Sequence, residues 1–147
     1  MMATDARRSR IPDVSLQRIE GGEINPSALI GQKLVVLFCP AELAAAVREI
    51  EDYRALANDF KDHGVWILGI LAEGMGAPRL ESGDPSIALT RDKDGAAWAA
   101  FASFLQDTRA GRAEGATFLF EQWGCFGHAW TGTGHAIGVL AEARRRN

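Results

Sequence analysis

The sequence predicts an α/β fold in which a central mixed β-sheet carries helices on both faces. Three observations carry this. Residues 34–39 and 65–71 are continuous apolar runs rich in valine, isoleucine and leucine, as strands buried on both faces are. Between them, residues 43–61 place apolar side chains at three- and four-residue steps, the period of an amphipathic helix. The element order along the chain is β-β-α-β-β-α-β-β-α, with an apolar strand before each early helix.

Each element follows from its residues. Residues 1–10 are polar and charged and read as a loose arm, leaving 11–147 as a single domain long enough to bury a core. Lys33 and Pro40 bound the first apolar run. In the helix over 43–61, Leu43, Val47, Ile50, Tyr53, Ala57 and Phe60 form the apolar stripe, and Glu49, Glu51, Asp52, Arg54 and Asp59 fill the opposite face. Gly64 ends that helix, and the strand over 65–71 follows. Residues 73–85 hold three glycines and two prolines and read as a loop. A short strand over 87–89 leads to Asp92-Lys93-Asp94-Gly95, a turn that opens a helix over 96–105. Residues 106–115 are polar and expected to be exposed. A hairpin pairs 117–120 with 126–130, and a helix over 135–146 closes the chain, with arginines in its last turn where the helix dipole favours cations.

Composition excludes several functions. A hydrophobic content of 47% and a charged content of 24% are ordinary for a globular protein. The net charge of −3 offers no basic face for nucleic acid. Its basic clusters, Arg7-Arg8-Ser9-Arg10 and Arg144-Arg145-Arg146, sit at the ends as solvated tails. No apolar run approaches the about 18 residues of a membrane span, and no apolar segment follows Arg7-Arg8 as an export signal needs. Two cysteines far apart do not make a secreted disulfide framework, so a cytoplasmic location is expected.

Five segments resemble one family. Ile11-Pro12-Asp13-Val14-Ser15-Leu16 precedes Leu29-Ile30-Gly31-Gln32-Lys33-Leu34-Val35-Val36-Leu37-Phe38-Cys39-Pro40. Further on stand Phe60-Lys61-Asp62-His63-Gly64-Val65-Trp66-Ile67-Leu68-Gly69, Leu89-Thr90-Arg91-Asp92-Lys93-Asp94-Gly95 and Ala116-Thr117-Phe118-Leu119-Phe120. In order and spacing this series resembles the peroxiredoxins, the alkyl hydroperoxide reductase C/thiol-specific antioxidant proteins of the thioredoxin fold. The resemblance implies a peroxidase pocket at Pro40, with a threonine and a peroxidatic cysteine on the helix that follows and an arginine just before the later strand.

Those three places read Ala44, Val47 and Gly115. Peroxide reduction needs a thiolate, made available near neutral pH by a lowered thiol pKa. Val47 has no nucleophilic atom, Ala44 no hydroxyl and Gly115 no cation. Arg112, three residues upstream, is the one alternative cation, and it is not expected to reach the pocket. The expected protein is therefore peroxiredoxin-like with a degenerate site: a non-catalytic binding, assembly or regulatory module that meets a protein partner or self-associates. The rival is a divergent thiol oxidoreductase acting through Cys39, the thiol nearest the pocket, with Glu42 close in sequence to raise its pKa. The plainer reading of Cys39 is a buried apolar residue.

The remaining signals carry less. Strand residues at roughly 3.3 Å each put Cys125 roughly 17–20 Å from the pocket, too far for a disulfide to Cys39, which needs Cα atoms within about 7 Å. An intermolecular redox link through Cys125 stands as a third reading. Cys125, His128 and His135 have metal-ligand types but lack a close pair and a fourth ligand, so no metal is expected. Thr131-Gly132-Thr133-Gly134 opens a helix and has the form of an anion cradle, but no strand follows to complete a dinucleotide unit. No cofactor is expected. Trp66, Trp98 and Trp130 are expected in the core or on a sheet face, and Trp123 at the hairpin tip is the candidate for a partner contact.

Overall fold

The structure is a computed structural model that describes residues 10–75, 87–92, 94–105 and 111–146. The loop expected over 73–85 lies largely outside the described residues, as does the arm over 1–10 except for Arg10, which bridges to Cys125.

Among the described residues, seven strands form one sheet: β1 (Leu16–Arg18), β2 (Glu23–Ile24), β3 (Lys33–Phe38), β4 (Val65–Leu71), β5 (Ile87–Arg91), β6 (Ala116–Phe120) and β7 (Phe126–Thr131), in spatial order β2-β1-β5-β4-β3-β6-β7. β3 runs parallel to β4 and antiparallel to β6. The described α-helices flank it: α1 (Leu43–Ala55), α2 (Ala57–Asp62), α3 (Ala96–Ala102) and α4 (Ala136–Arg145). The pleat sends alternate β3 residues to opposite cores. Val35, Leu37 and the following Cys39 join Ile50, Tyr53, Phe60, Val139 and Leu140 under α1, α2 and α4. Leu34, Val36 and Phe38 join Phe101, Phe118 and Phe120 under α3. This is the mixed sheet with helices on both faces that the strand composition predicts.

Several elements depart from expectation. The chain opens on a two-stranded hairpin turned by Gly21 and Gly22, both at positive φ, so one more strand is present than the sequence order shows. The helix expected over 43–61 breaks at Leu56, whose N–H bonds the Tyr53 carbonyl and starts a separate short helix. The helix expected over 96–105 stops at Ala102 because the Ser103 hydroxyl donates to the Ala100 carbonyl and the next N–H groups reach back only three residues. At its start, the buried Asp92 carboxylate accepts the Ala97 and Trp98 N–H groups, a cap that fits the turn read from Asp92 to Gly95.

The stripe on α1 is also corrected. Its buried residues are Ala46, Glu49, Ile50 and Tyr53, while Leu43 is 55% exposed. Leu43 is the first residue of the helix, and the buried face begins only at Ala46. Glu49 is buried because it has a partner on the neighbouring turn, described below. Trp66 lies on a face of the sheet, as expected, and is 47% exposed there although the rest of β4 is covered. Trp98 and Trp130 pack at the margins of the two cores, as expected.

Candidate functional site

The C-terminal end of β3 is the centre of the site. Phe38 pairs with Ala116 at the start of β6, so the segment entering β6 is drawn against Cys39 and Pro40. Gly115 makes that approach possible. It has a φ of +83°, and a Cβ there would lie 2.9 Å from the Phe38 carbonyl oxygen and 3.3 Å from the Pro40 nitrogen. No side chain fits at this position, so the arginine that the family resemblance implies has no room here. The Ala41 N–H donates to the Ala113 carbonyl at 2.9 Å and closes the same contact.

A cation nevertheless reaches the strand end. Arg112 is half-buried, unlike the exposed segment expected over 106–115. Its Nη1 donates to the Cys39 carbonyl and its Nη2 to the Ile70 carbonyl at 3.1 Å. Its guanidinium lies 5.1 Å from the Phe38 ring centroid, within cation–π range. Burial lowers its pKa, which the nearby Cys39 and Asp92 partly counter. The strand-end carbonyls of Cys39 and Ile70 form this Arg112 site only when β3 and β4 lie in register, a pairing that sequence spacing does not display.

Cys39 is fully buried, and its N–H bonds the Ile70 carbonyl. Burial pushes its thiol up to about 12, against the favourable pull of Arg112; Glu49, not Glu42, adds a smaller push in the same direction. Pro40 is buried beside it, Val47 is half-buried and Ala44 is exposed. The structure therefore brings Cys39, Pro40, Gly115 and Arg112 together, and places Ala44 and Val47 on the first two turns of α1.

Beneath the site lies a polar cluster that the sequence reading missed. The Tyr53 hydroxyl donates to Thr117 Oγ1 at 3.2 Å, both groups being fully buried, and burial raises the Tyr53 pKa. Glu49 is 2% exposed, and its Oε1 accepts the Gly134 N–H at 3.0 Å. The glycine-rich turn read as an anion cradle thus already holds a carboxyl group from its own chain. The only sequence signal was the position of Glu49, one residue before Ile50 and three after Ala46 on the helical wheel.

Cys125 is exposed and free, at the opposite end of β6 from Cys39, which is also free. Among the described residues no group of three or more His, Cys, Asp or Glu side chains is placed to hold a metal ion. His128 packs on Trp130 and the His135 ring bonds the Thr131 carbonyl. No helix among the described residues is long and apolar enough to cross a membrane.

Residues 8–124 match the AhpC/TSA family. The chain belongs to that family. Its fold agrees with peroxiredoxin Q of Xanthomonas campestris, at 25% identity and a TM-score of 0.74, over 90% of this chain and 91% of that one. The bacterioferritin comigratory protein of the same organism, studied for alkyl peroxide reduction, superposes with a TM-score of 0.75 at 25% identity, over 90% of each chain. The mitochondrial 2-Cys peroxiredoxin of Plasmodium falciparum shares the fold at 18% identity and a TM-score of 0.70, over 94% of this chain and 92% of that one. A comparison with curated proteins gives no match. This AhpC/TSA chain is a peroxiredoxin-like protein of the thioredoxin fold.

Proposed function

We propose that this AhpC/TSA protein lacks the peroxidatic cysteine and serves as a binding, assembly or regulatory module in the cytoplasm, engaging a protein partner or a second copy of itself. The observation that carries the reading is the state of the thiol beside the pocket. Cys39 is sealed from solvent and its pKa is about 12, so it presents no thiolate at neutral pH. The residue aligned with the peroxidatic cysteine is Val47, and Ala44 and Gly115 stand at the two supporting positions. Around them Ala41 and Glu42 and, in the first turn of α1, Leu43 and Ala44 are exposed to solvent, a mainly apolar surface suited to contact. One continuous sheet spanning β1 to β7 supports treating residues 11–147 as a single domain.

The test is peroxide turnover. The purified protein is expected to consume hydrogen peroxide or an organic hydroperoxide, with a dithiol reductant, no faster than a free thiol does. Turnover at an enzymatic rate that Cys39→Ser abolishes would overturn the reading and establish a thiol oxidoreductase. Turnover lost only in Cys125→Ser would relocate the chemistry to the other end of the sheet.

A further inference from the structure

Glu49 is a buried acid with half of its hydrogen-bonding capacity unused. Oε1 accepts the Gly134 N–H, whereas Oε2 has no hydrogen-bond partner although it is shut off from solvent. The groups that face it come from three elements. Asp52 and Tyr53 share α1 with it, Cys39 directly follows β3, and His135 stands at the start of α4 with its Nε2 on the Thr131 carbonyl. Asp52 opposes ionisation of Glu49, and His135 favours it. A carboxylate held by one neutral donor in such a place is a costly state, and a proton removes the larger, charge part of that cost while leaving the Oε1 bond intact. Burial pushes this carboxyl above the usual range, with the Gly134 N–H pulling the other way.

The single bond from Oε1 crosses between two elements. It ties the middle of α1 to the turn before α4, and α4 supplies Ala136 and Val139 to the core that contains Cys39 and Tyr53. A cavity of about 280 Å³, lined by Asp52, Ala55, Leu56, Gly134, Ala136 and Ile137, runs along the same seam. Gly132 and Gly134 have positive φ, and added Cβ atoms there would meet nothing within 4 Å, so the turn has open space around it.

We propose that Glu49 is a proton-operated latch between α1 and the turn before α4, closed while its carboxyl carries a proton and released when it ionises and draws in water from the adjoining cavity. Release loosens the cover over Cys39 and Tyr53 without unfolding the sheet. The device makes access to the buried thiol a function of pH through a group other than the thiol itself.

Amide hydrogen exchange at Gly134, corrected for its intrinsic rate, and the side-chain carbon-13 titration of Glu49 test this on the full chain. Opening favours the ionised acid, so protection of Gly134 is expected to fall about tenfold per pH unit between the exposed-glutamate pKa of about 4.3 and the higher midpoint of Glu49, then level off. Glu49→Gln keeps the acceptor and cannot ionise, so its Gly134 protection is expected to stay flat over that window. The latch is overturned if Glu49 titrates like an exposed glutamate, if Gly134 protection ignores its titration, or if the glutamine variant keeps the pH dependence. Should the variant not fold, the wild-type protein decides by whether protection levels off at the Glu49 midpoint.

Discussion

Single residues at the end of β3 set what chemistry this protein offers. Cys39 is closed off by burial, and its ionisation is held back far above that of an ordinary thiol. A small thiol reagent at pH 7 is therefore expected to label Cys125 quickly and Cys39 slowly, with the Cys39 rate rising steeply in mild denaturant because reaction waits on local opening. Faster labelling of Cys39 than of Cys125 would contradict the burial argument. Val47→Cys places a thiol at the aligned position in a half-buried setting, at a cost of about 0.5–1.5 kcal/mol for the lost packing. With alanine at position 44 and Arg112 engaged by the Cys39 and Ile70 carbonyls, that thiol is expected to titrate at or above the ordinary value of about 8.5, and a measured pKa below about 6.5 would show that another group activates it. Gly115→Ala is expected to destabilise the fold by roughly 1–3 kcal/mol, read by denaturant unfolding. Its φ of +83° is hard for alanine, and the added methyl meets the Phe38 carbonyl and Pro40.

At the scale of elements, α1 is the piece that joins the site to the rest of the fold. Its buried face carries two polar side chains as well as apolar ones, Glu49 toward α4 and Tyr53 toward β6. Tyr53→Phe keeps the ring stacked on Phe60 but leaves the Thr117 hydroxyl without its donor. The expected loss is about 1–2 kcal/mol by chemical denaturation, and Tyr53→Phe combined with Thr117→Val is expected to recover part of it. Full additivity of the two changes would mean that the hydroxyl pair contributes nothing. The apolar period of α1 is legible in the sequence, and so is its start after Pro40. Which side of the stripe turns inward is not, because Leu43 and Val47 match the period as well as Ala46 does. The position of β3 and α4 beneath the helix decides between them.

For the whole molecule, three buried groups that lose a proton to become anions share one sign. Glu49, Cys39 and Tyr53 all have raised pKa values in the folded state, with burial as the main cause. A raised folded pKa means that the native state binds the proton more tightly, so its contribution to stability is complete below the unfolded pKa and is lost as pH rises. Global stability is thus expected to decline in two windows: one above the ordinary carboxyl range, from Glu49, and one from about 9 toward about 12, to which Cys39 contributes. Denaturant unfolding at a series of pH values checks this. Glu49→Gln is expected to flatten the lower window alone, and Cys39→Ala to reduce the slope of the upper one alone. A lower window unchanged in the glutamine variant would assign that slope to another group.

Local composition was enough to determine the sheet, the helices on both its faces and the family resemblance. The apolar runs of β3 and β4 and the turn at Asp92 to Gly95 act over a few neighbouring residues, and those interactions can be read along the chain. The same holds for the absence of a nucleophile at Val47 and of a hydroxyl at Ala44, which are facts of residue identity. The tertiary structure alone decided the surroundings of these positions. Arg112 finds its carbonyl partners on two different strands, Gly115 is required by a backbone approach from β3, and Glu49 is buried by a turn far along the chain. Desolvation and hydrogen bonding between distant segments depend on which surfaces meet, and no spacing in the sequence records that meeting.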